Sequence, residues 1–266
     1  MRLGISTSAF FGRWETDESA MAVSKLPVDC AEVFLQTPSE YTREFGLQVR
    51  KNLAGIPCTS VHPLGTLFEN QLISRSARQR RDALDILCAV LDAAQVLGAQ
   101  MYVHHGRHTP RNEILPWNMQ ANAELISIIE KEASERGIAV TWENVCWCQL
   151  TSPDRVRDAK RILPDVRFTL DIKQAMKSGY QPVDFIRAMG NRISNVHICD
   201  WDDEGRLCLP GEGSFDFETF IHELAAAGYD GPIILEPYLA LIRSEEALNQ
   251  SIQYIKEVVV RNRGLL

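Results

Sequence analysis

Residues 193–203 read ISNVHICDWDD, an apolar run patterned as a buried strand that ends on His197 with carboxylates close behind. Where the pattern calls for valine or isoleucine, the chain places an imidazole. A lone histidine there is ordinarily a hydrogen-bonded core or strand-end residue, so its meaning depends on what the other strands do. Similar runs recur about every 25 to 40 residues: RLGIST (2–7), CAEVFLQ (30–36), CTSVHP (58–63), QMYVHH (100–105), AVTWEN (139–144), RFTLDI (167–172), ISNVHI (193–198) and PIILEP (232–237). Between them lie stretches of helical period such as SARQRRDALDILCAVLDAAQVLG (76–98) and NMQANAELISIIEKEASERG (118–137), each closing on a glycine suited to a C-cap. Strand alternating with helix predicts right-handed βαβ units and a parallel sheet, and eight units predict one (β/α)8 barrel domain over residues 1–266. The rival, an open doubly wound sheet, usually carries a glycine-rich phosphate loop after its first strand; TSAFFGRWE (7–15) contains no G-x-G-x-x-G.

Composition narrows the class. Of 266 residues, 45% are hydrophobic and 24% charged, the balance of a globular chain able to bury a large core. The start MRLGISTSAF lacks the basic, apolar character of a secretory signal, and no segment approaches about 18 uninterrupted apolar residues, so a cytoplasmic protein without a membrane partner is expected. Seven cysteines, several inside apolar runs, predict reduced thiols, and the C-x-C of Cys146 and Cys148 lacks the spacing of a zinc ribbon. A net charge of -7 disfavours broad nucleic-acid contact.

In such a barrel the active site lies at the carboxyl ends of the strands. Strand 3 ends in His62, strand 4 in His104 and His105, strand 5 in Glu143, strand 6 in Asp171, strand 7 in His197 and strand 8 in Glu236. Acids and histidines converging from six strands would leave several like charges desolvated together, a strain that a divalent cation relieves. Carboxylates with imidazole form an O/N site suited to Mn, Co, Fe or Zn, with positions left open for substrate. The rival reading is a wet, metal-free polar pocket.

The motifs SVHP, VHHG, WEN, TLDIKQA, NVHICD, PGEGSFDFETF and IILEPY occur in order over nearly the whole chain. Together they resemble the xylose-isomerase-like TIM barrel superfamily, which holds sugar and sugar-phosphate isomerases and epimerases, inosose dehydratases and apurinic-site endonucleases. Resemblance to its ketose 3-epimerases implies one divalent metal ion (Mn, Co, Mg, Fe or Zn) on Glu143, Asp171, His197 and Glu236, with Glu143 and Glu236 as the catalytic acid and base. It further implies a keto-sugar substrate whose carbonyl and hydroxyl the metal polarises, stabilising an enediolate. The endonuclease branch implies a second metal at His62 and His104. Its third metal site has no counterpart, because Gln174 stands where that branch has histidine and EGRLCLPGEG offers Gly205 and Leu207 where it has Asp and His. Gln174 also replaces a substrate-bonding histidine of many epimerases. Arg206 is either their sugar-contacting arginine or a solvated loop cation. A homodimer or homotetramer is what the resemblance implies for assembly.

Smaller expectations complete the reading. Trp142 belongs to the core by alternation, whereas Trp14, Trp201 and Phe11 follow strand ends and are candidate walls. Arg107 and His108 are either phosphate anchors or loop polarity. Glu212 is expected to fix its own loop, Ser214 or Asp216 to cap the next helix, Ser244 to cap the last one, and His222 to be structural. The function expected is a metal-dependent isomerase or epimerase. The alternatives are a metal-dependent phosphodiesterase resembling the abasic-site endonucleases, an inosose-type dehydratase, or a sugar-binding module without turnover.

Overall fold

Each of the eight runs forms a strand in the computed structural model, which describes residues 1–107 and 116–262. They are β1 (Arg2–Ser6), β2 (Cys30–Leu35), β3 (Cys58–Pro63), β4 (Met101–His104), β5 (Ala139–Glu143), β6 (Arg167–Asp171), β7 (Ile193–Ile198) and β8 (Pro232–Leu235). Every strand lies parallel to its sequence neighbours, and β8 returns to pair with β1, so the sheet closes into a barrel. The fold is a single (β/α)8 TIM barrel. Register shifts at Ala31/Glu32 and at Phe168/Thr169 mark β2 and β6.

The helices follow from caps and apolar stripes. In order they are α1 (Thr16–Val23), α2 (Arg43–Asn52), α3 (Leu67–Gln71), α4 (Ala77–Leu97), α5 (Met119–Ser134), α6 (Pro153–Ile162), α7 (Ile172–Lys177), α8 (Pro182–Met189), α9 (Phe217–Ala226) and α10 (Glu245–Asn262). Ser76 caps α4 by accepting from the Gln79 N–H, and Gly98, at φ 89°, ends that helix in the left-handed region that glycine tolerates. Asp216 caps α9 and Ser244 accepts from the Ala247 N–H.

Alternation along the strands separates two interiors. Outward residues such as Val61, Tyr102, Trp142, Phe168, Leu170 and Leu235 pack under the helices as the main hydrophobic core. Inward residues are largely polar: Glu32, Ser60, Thr141, Thr169, Asn195 and His197 are all buried. The Thr141 and Thr169 hydroxyls bond each other at 2.5 Å, and the layers above them lead to the carboxyl-terminal mouth. All seven cysteines are free thiols. No helix among the described residues is long and apolar enough to cross a membrane.

Candidate metal centre

The site begins with Glu32, a carboxylate in the middle of an otherwise apolar strand. Its Oε2 accepts from Ser60 Oγ at 2.7 Å and from the Asn195 amide at 3.1 Å, and lies 3.0 Å from His197 Nε2. A carboxylate only accepts, so the His197 Nε2–H donates to it. That fixes the ring and turns Nδ1 toward the mouth, 3.3 Å from Glu143 Oε1 and 3.7 Å from Glu236 Oε2. Such a carboxylate–imidazole relay is the usual outer support of a metal-binding histidine.

Around Nδ1 stand the residues predicted from strands 5, 6 and 8. Glu143, Asp171, His197 and Glu236 each offer a ligand atom, all within 4.8 Å of one another. The two oxygens of Asp171 serve different ends. As the N-cap of α7 its Oδ1 accepts from the Gln174 N–H at 2.9 Å, while Oδ2 faces the cluster. Asn144 braces it, accepting from the Asp171 N–H and donating to the Asp171 carbonyl. Glu143 Oε2, Asp171 Oδ2 and His197 Nδ1 are buried without an aligned hydrogen bond. Three buried ligand atoms without an aligned hydrogen bond, within one cluster, are what a divalent ion would satisfy, so the donor set fits the metal expected from sequence.

The electrostatics agree. Burial opposes charge on His197, but Glu32, Glu236 and Glu143 outweigh it and hold the imidazole well above its ordinary range. Burial likewise disfavours ionised Glu143, yet His105 and His197 keep its carboxyl well below the usual range. Asp171 is pushed by burial up to about 7, with Glu143 and Glu236 adding to the shift and Lys173 opposing it. Glu32 stays at about 2, because His197 overcomes its burial. The site demands positive charge among its carboxylates, which a proton or a divalent ion supplies.

A second cluster adjoins the first. His62 Nε2 and His105 Nε2 are 2.5 Å apart, and His105 Nε2 is 3.0 Å from Glu143 Oε2, so Glu143 is shared between the two groups. Burial and the neighbouring His105 bring His62 down to about 4, leaving it neutral and available as a ligand. His104, expected here with His62, is elsewhere. Its register partner on β5 is Trp142, an outward residue, so His104 also points outward and bonds Glu69 of α3 at 2.8 Å. The next residue, His105, has the inward parity.

Some of the other expectations hold and some are corrected. Arg206 is the solvated loop cation of its two readings, paired with Asp202 and Glu204, and is not among the residues lining the cavity. Glu212 pairs with Arg243, and it is Asp200 that ties the PGEG loop, accepting from the Gly211, Gly213 and Phe215 N–H groups. Gly213 is required there, since a Cβ would collide with the Trp201 carbonyl oxygen. Trp142 is core, as alternation demands, and Trp201 packs on Phe215 rather than on the cavity. Phe11 lines the mouth, whereas Trp14 lines a separate recess. Gln174 does border the site; its Oε1 accepts from the Cys146 N–H at 3.2 Å. His108 lies outside the described residues, and Arg107 is half-buried.

The cavity above these groups measures about 310 Å³. Phe11, Phe34, Trp147 and Tyr238 give it apolar walls, and His62, His105, Glu143, Gln174 and Glu236 give it a polar floor. Lys173 also enters it, with Nζ 3.0 Å from Glu236 Oε2 and 3.7 Å from Asp171 Oδ2. Glu32, Lys173, Trp147 and Tyr238 are not among the residues that the sequence singles out. Only Glu32 carries a signal there, an acid breaking the apolar run CAEVFLQ.

The family profile described as xylose isomerase-like TIM barrel matches residues 21–258. The chain belongs to that family. Within it, the chain is similar to an inosose dehydratase of Clostridium botulinum, 23% identical over 53% of this chain and 54% of that one. The matched parts of the first two curated relatives are 36% and 54% of their length. Among solved structures, a D-psicose 3-epimerase studied in the presence of D-fructose superposes with a TM-score of 0.77 at 17% identity, covering 97% of this chain and 99% of the other. The IOLI protein with a bound zinc atom gives a TM-score of 0.71 at 15% identity over 98% and 97% of the two chains. At these identities the two solved structures establish the shared fold.

Proposed function

We propose that this family member is a divalent-metal-dependent isomerase or epimerase acting on a small keto-sugar or a sugar phosphate. The observation that carries the reading is the set Glu143, Asp171, His197 and Glu236, gathered within 4.8 Å with three of its buried ligand atoms lacking an aligned hydrogen bond. The D-psicose 3-epimerase fold neighbour and the zinc-binding one support it as likenesses of architecture.

When bound, the ion would polarise a ketose carbonyl and its neighbouring hydroxyl and so acidify the adjacent C–H. The chain's residues do the rest. Glu143 and Glu236 both reach the cavity from different strands, so one carboxylate takes the proton from carbon and the other returns it. His105 and His62 stand beside Glu143, Lys173 beside Glu236, giving the two carboxylates different surroundings. Phe11, Phe34 and Trp147 limit water around the reacting carbon.

The test is metal-loaded protein incubated with a ketose panel in D2O, following deuterium at the carbon next to the carbonyl. Wild type exchanges and converts substrate, and Glu143→Gln and Glu236→Gln each lose on the order of 10²-fold or more. Full activity in both variants sinks the proposal. A second reading, a hydrolase of phosphodiesters with two ions, is favoured by the adjoining His62–His105–Glu143 group. Two metal ions per chain and nicking of an abasic duplex would put it first. A dehydratase shares the same metal and base, and loss of a hydroxyl in the product identifies it.

A further inference from the structure

Lysine is seldom buried, yet one lines this cavity. Lys173 is 5% exposed and lies two residues after Asp171, in the first turn of α7, where a cation meets the positive end of the helix dipole. Its Nζ donates to Glu236 Oε2 at 3.0 Å and is 3.7 Å from Asp171 Oδ2, so it serves two carboxylates of the proposed four-ligand set. Burial opposes the charge, but Glu236 and Asp171 outweigh it and hold the ammonium above its ordinary range. Among the described residues no other lysine or arginine is within ion-pair distance of the four; the remaining cationic partners are histidines, His62 and His105 at Glu143 and His197 within the set. Burial and helix position both disfavour a lysine here, so it is the site that accounts for it.

Three carboxylates against a divalent ion leave one negative charge, and the Lys173 ammonium cancels it. We propose that Lys173 is a built-in counter-ion of the centre: it weakens the hold on the ion and leaves the loaded ligand set without net charge, prepared for the negative charge that develops on a substrate oxygen. This rests on the metal-dependent reading above and adds to it a residue that is not a ligand. An ammonium bonded to a ligand carboxylate repels a cation bound by that carboxylate, and does so strongly where water is excluded. A centre left with a negative charge would oppose a developing oxyanion, whereas a neutral one does not. A salt bridge that only tied α7 to the residue after β8 would act through its hydrogen bond, and its loss would loosen the ion instead of tightening it.

The experiment measures Co2+ affinity of the full chain by competition against a chelator, at about pH 8, above the ordinary carboxylate range, for wild type, Lys173→Met, Lys173→Gln and Lys173→Arg. Glutamine can still donate to Glu236 but carries no charge, and arginine keeps the charge. Lys173→Met and Lys173→Gln bind Co2+ about 10-fold or more tightly than wild type, while Lys173→Arg stays within about 3-fold. Lys177→Met removes an exposed cation from the same helix and also stays within about 3-fold. On a ketose that wild type converts, kcat of the two uncharged variants falls by about 10-fold or more with KM within about 3-fold, and Lys173→Arg recovers part of kcat. Weaker or unchanged ion binding in the uncharged variants overturns the proposal, and so does an unchanged kcat. Should Lys173→Met fail to fold, Lys173→Gln against Lys173→Arg makes the same comparison. Wild type that binds no Co2+ would overturn the metal reading and this inference with it. Wild type that binds Co2+ but converts no keto-sugar would defeat the isomerase reading alone, and the affinity comparison would still decide the role of Lys173.

Discussion

At the scale of the residue, Glu32 supports the candidate metal centre without belonging to its proposed four-ligand set. Its carboxylate takes the His197 Nε2–H, and that hydrogen bond turns Nδ1 toward the cluster. Glu32→Gln keeps the shape but replaces the strong acceptor by an amide with weaker hold on the imidazole. The expected result is a loss of about 10- to 100-fold in metal affinity with the four ligands intact, read by competition against a chelator. Unchanged affinity would mean that His197 is oriented by packing alone. His62 adds a second residue-scale lesson: it is neutral beside His105, so it is poised as a ligand and not as a counter-charge for the carboxylates.

At the scale of the element, strand parity decides which side chains reach the site. All eight strands were legible, because β-rich runs bounded by capped helices admit one alternation. The inward set followed from the strand ends: Glu143 and Asp171 are the last residues of β5 and β6, His197 is one before the end of β7, and Glu236 follows β8 directly. On β4 the same rule, applied from Trp142 across the sheet, selects His105; reading the strand by its end alone selects His104. Lys173 and Trp147 were illegible because loop and helix-start side chains obey no alternation that a single sequence displays. His104 instead serves an outer element: with Tyr102 it holds the buried Glu69, fastening α3 to β4. Burial raises the Glu69 carboxyl, but His104 and Tyr102 outweigh it and lower it overall. Its folded value lies below the unfolded one, so it contributes stability that is present above the ordinary carboxylate range and lost as pH falls through the folded value. Glu69→Gln should cost about 3 kcal/mol at neutral pH and flatten the decline of the urea midpoint below about pH 4.5. A variant with the wild-type acid slope would refute the assignment.

At the scale of the whole molecule, the barrel gathers acids that repel one another at its mouth, and the proposed ion would relieve that repulsion. Metal at a hundredfold excess over its Kd should stabilise the fold by about 2.7 kcal/mol, or roughly 5–10 °C in melting temperature for a chain of this size. Calorimetric scans before and after chelation read this directly, and equal melting temperatures would argue against tight ion binding by the folded state. The thiols extend the same logic. Burial raises the pKa of every cysteine, to about 11 at Cys30 of β2 and Cys208 of the loop after β7, and well above the ordinary range at Cys199. Alkylation needs thiolate and access, and the intact barrel withholds both. The reaction of Cys30, Cys58, Cys148 and Cys199 with iodoacetamide should therefore track opening of the wall. Sparse labelling at neutral pH, rising when the ion is stripped, would make these buried sulfurs a built-in clock for how often the closed cylinder breathes.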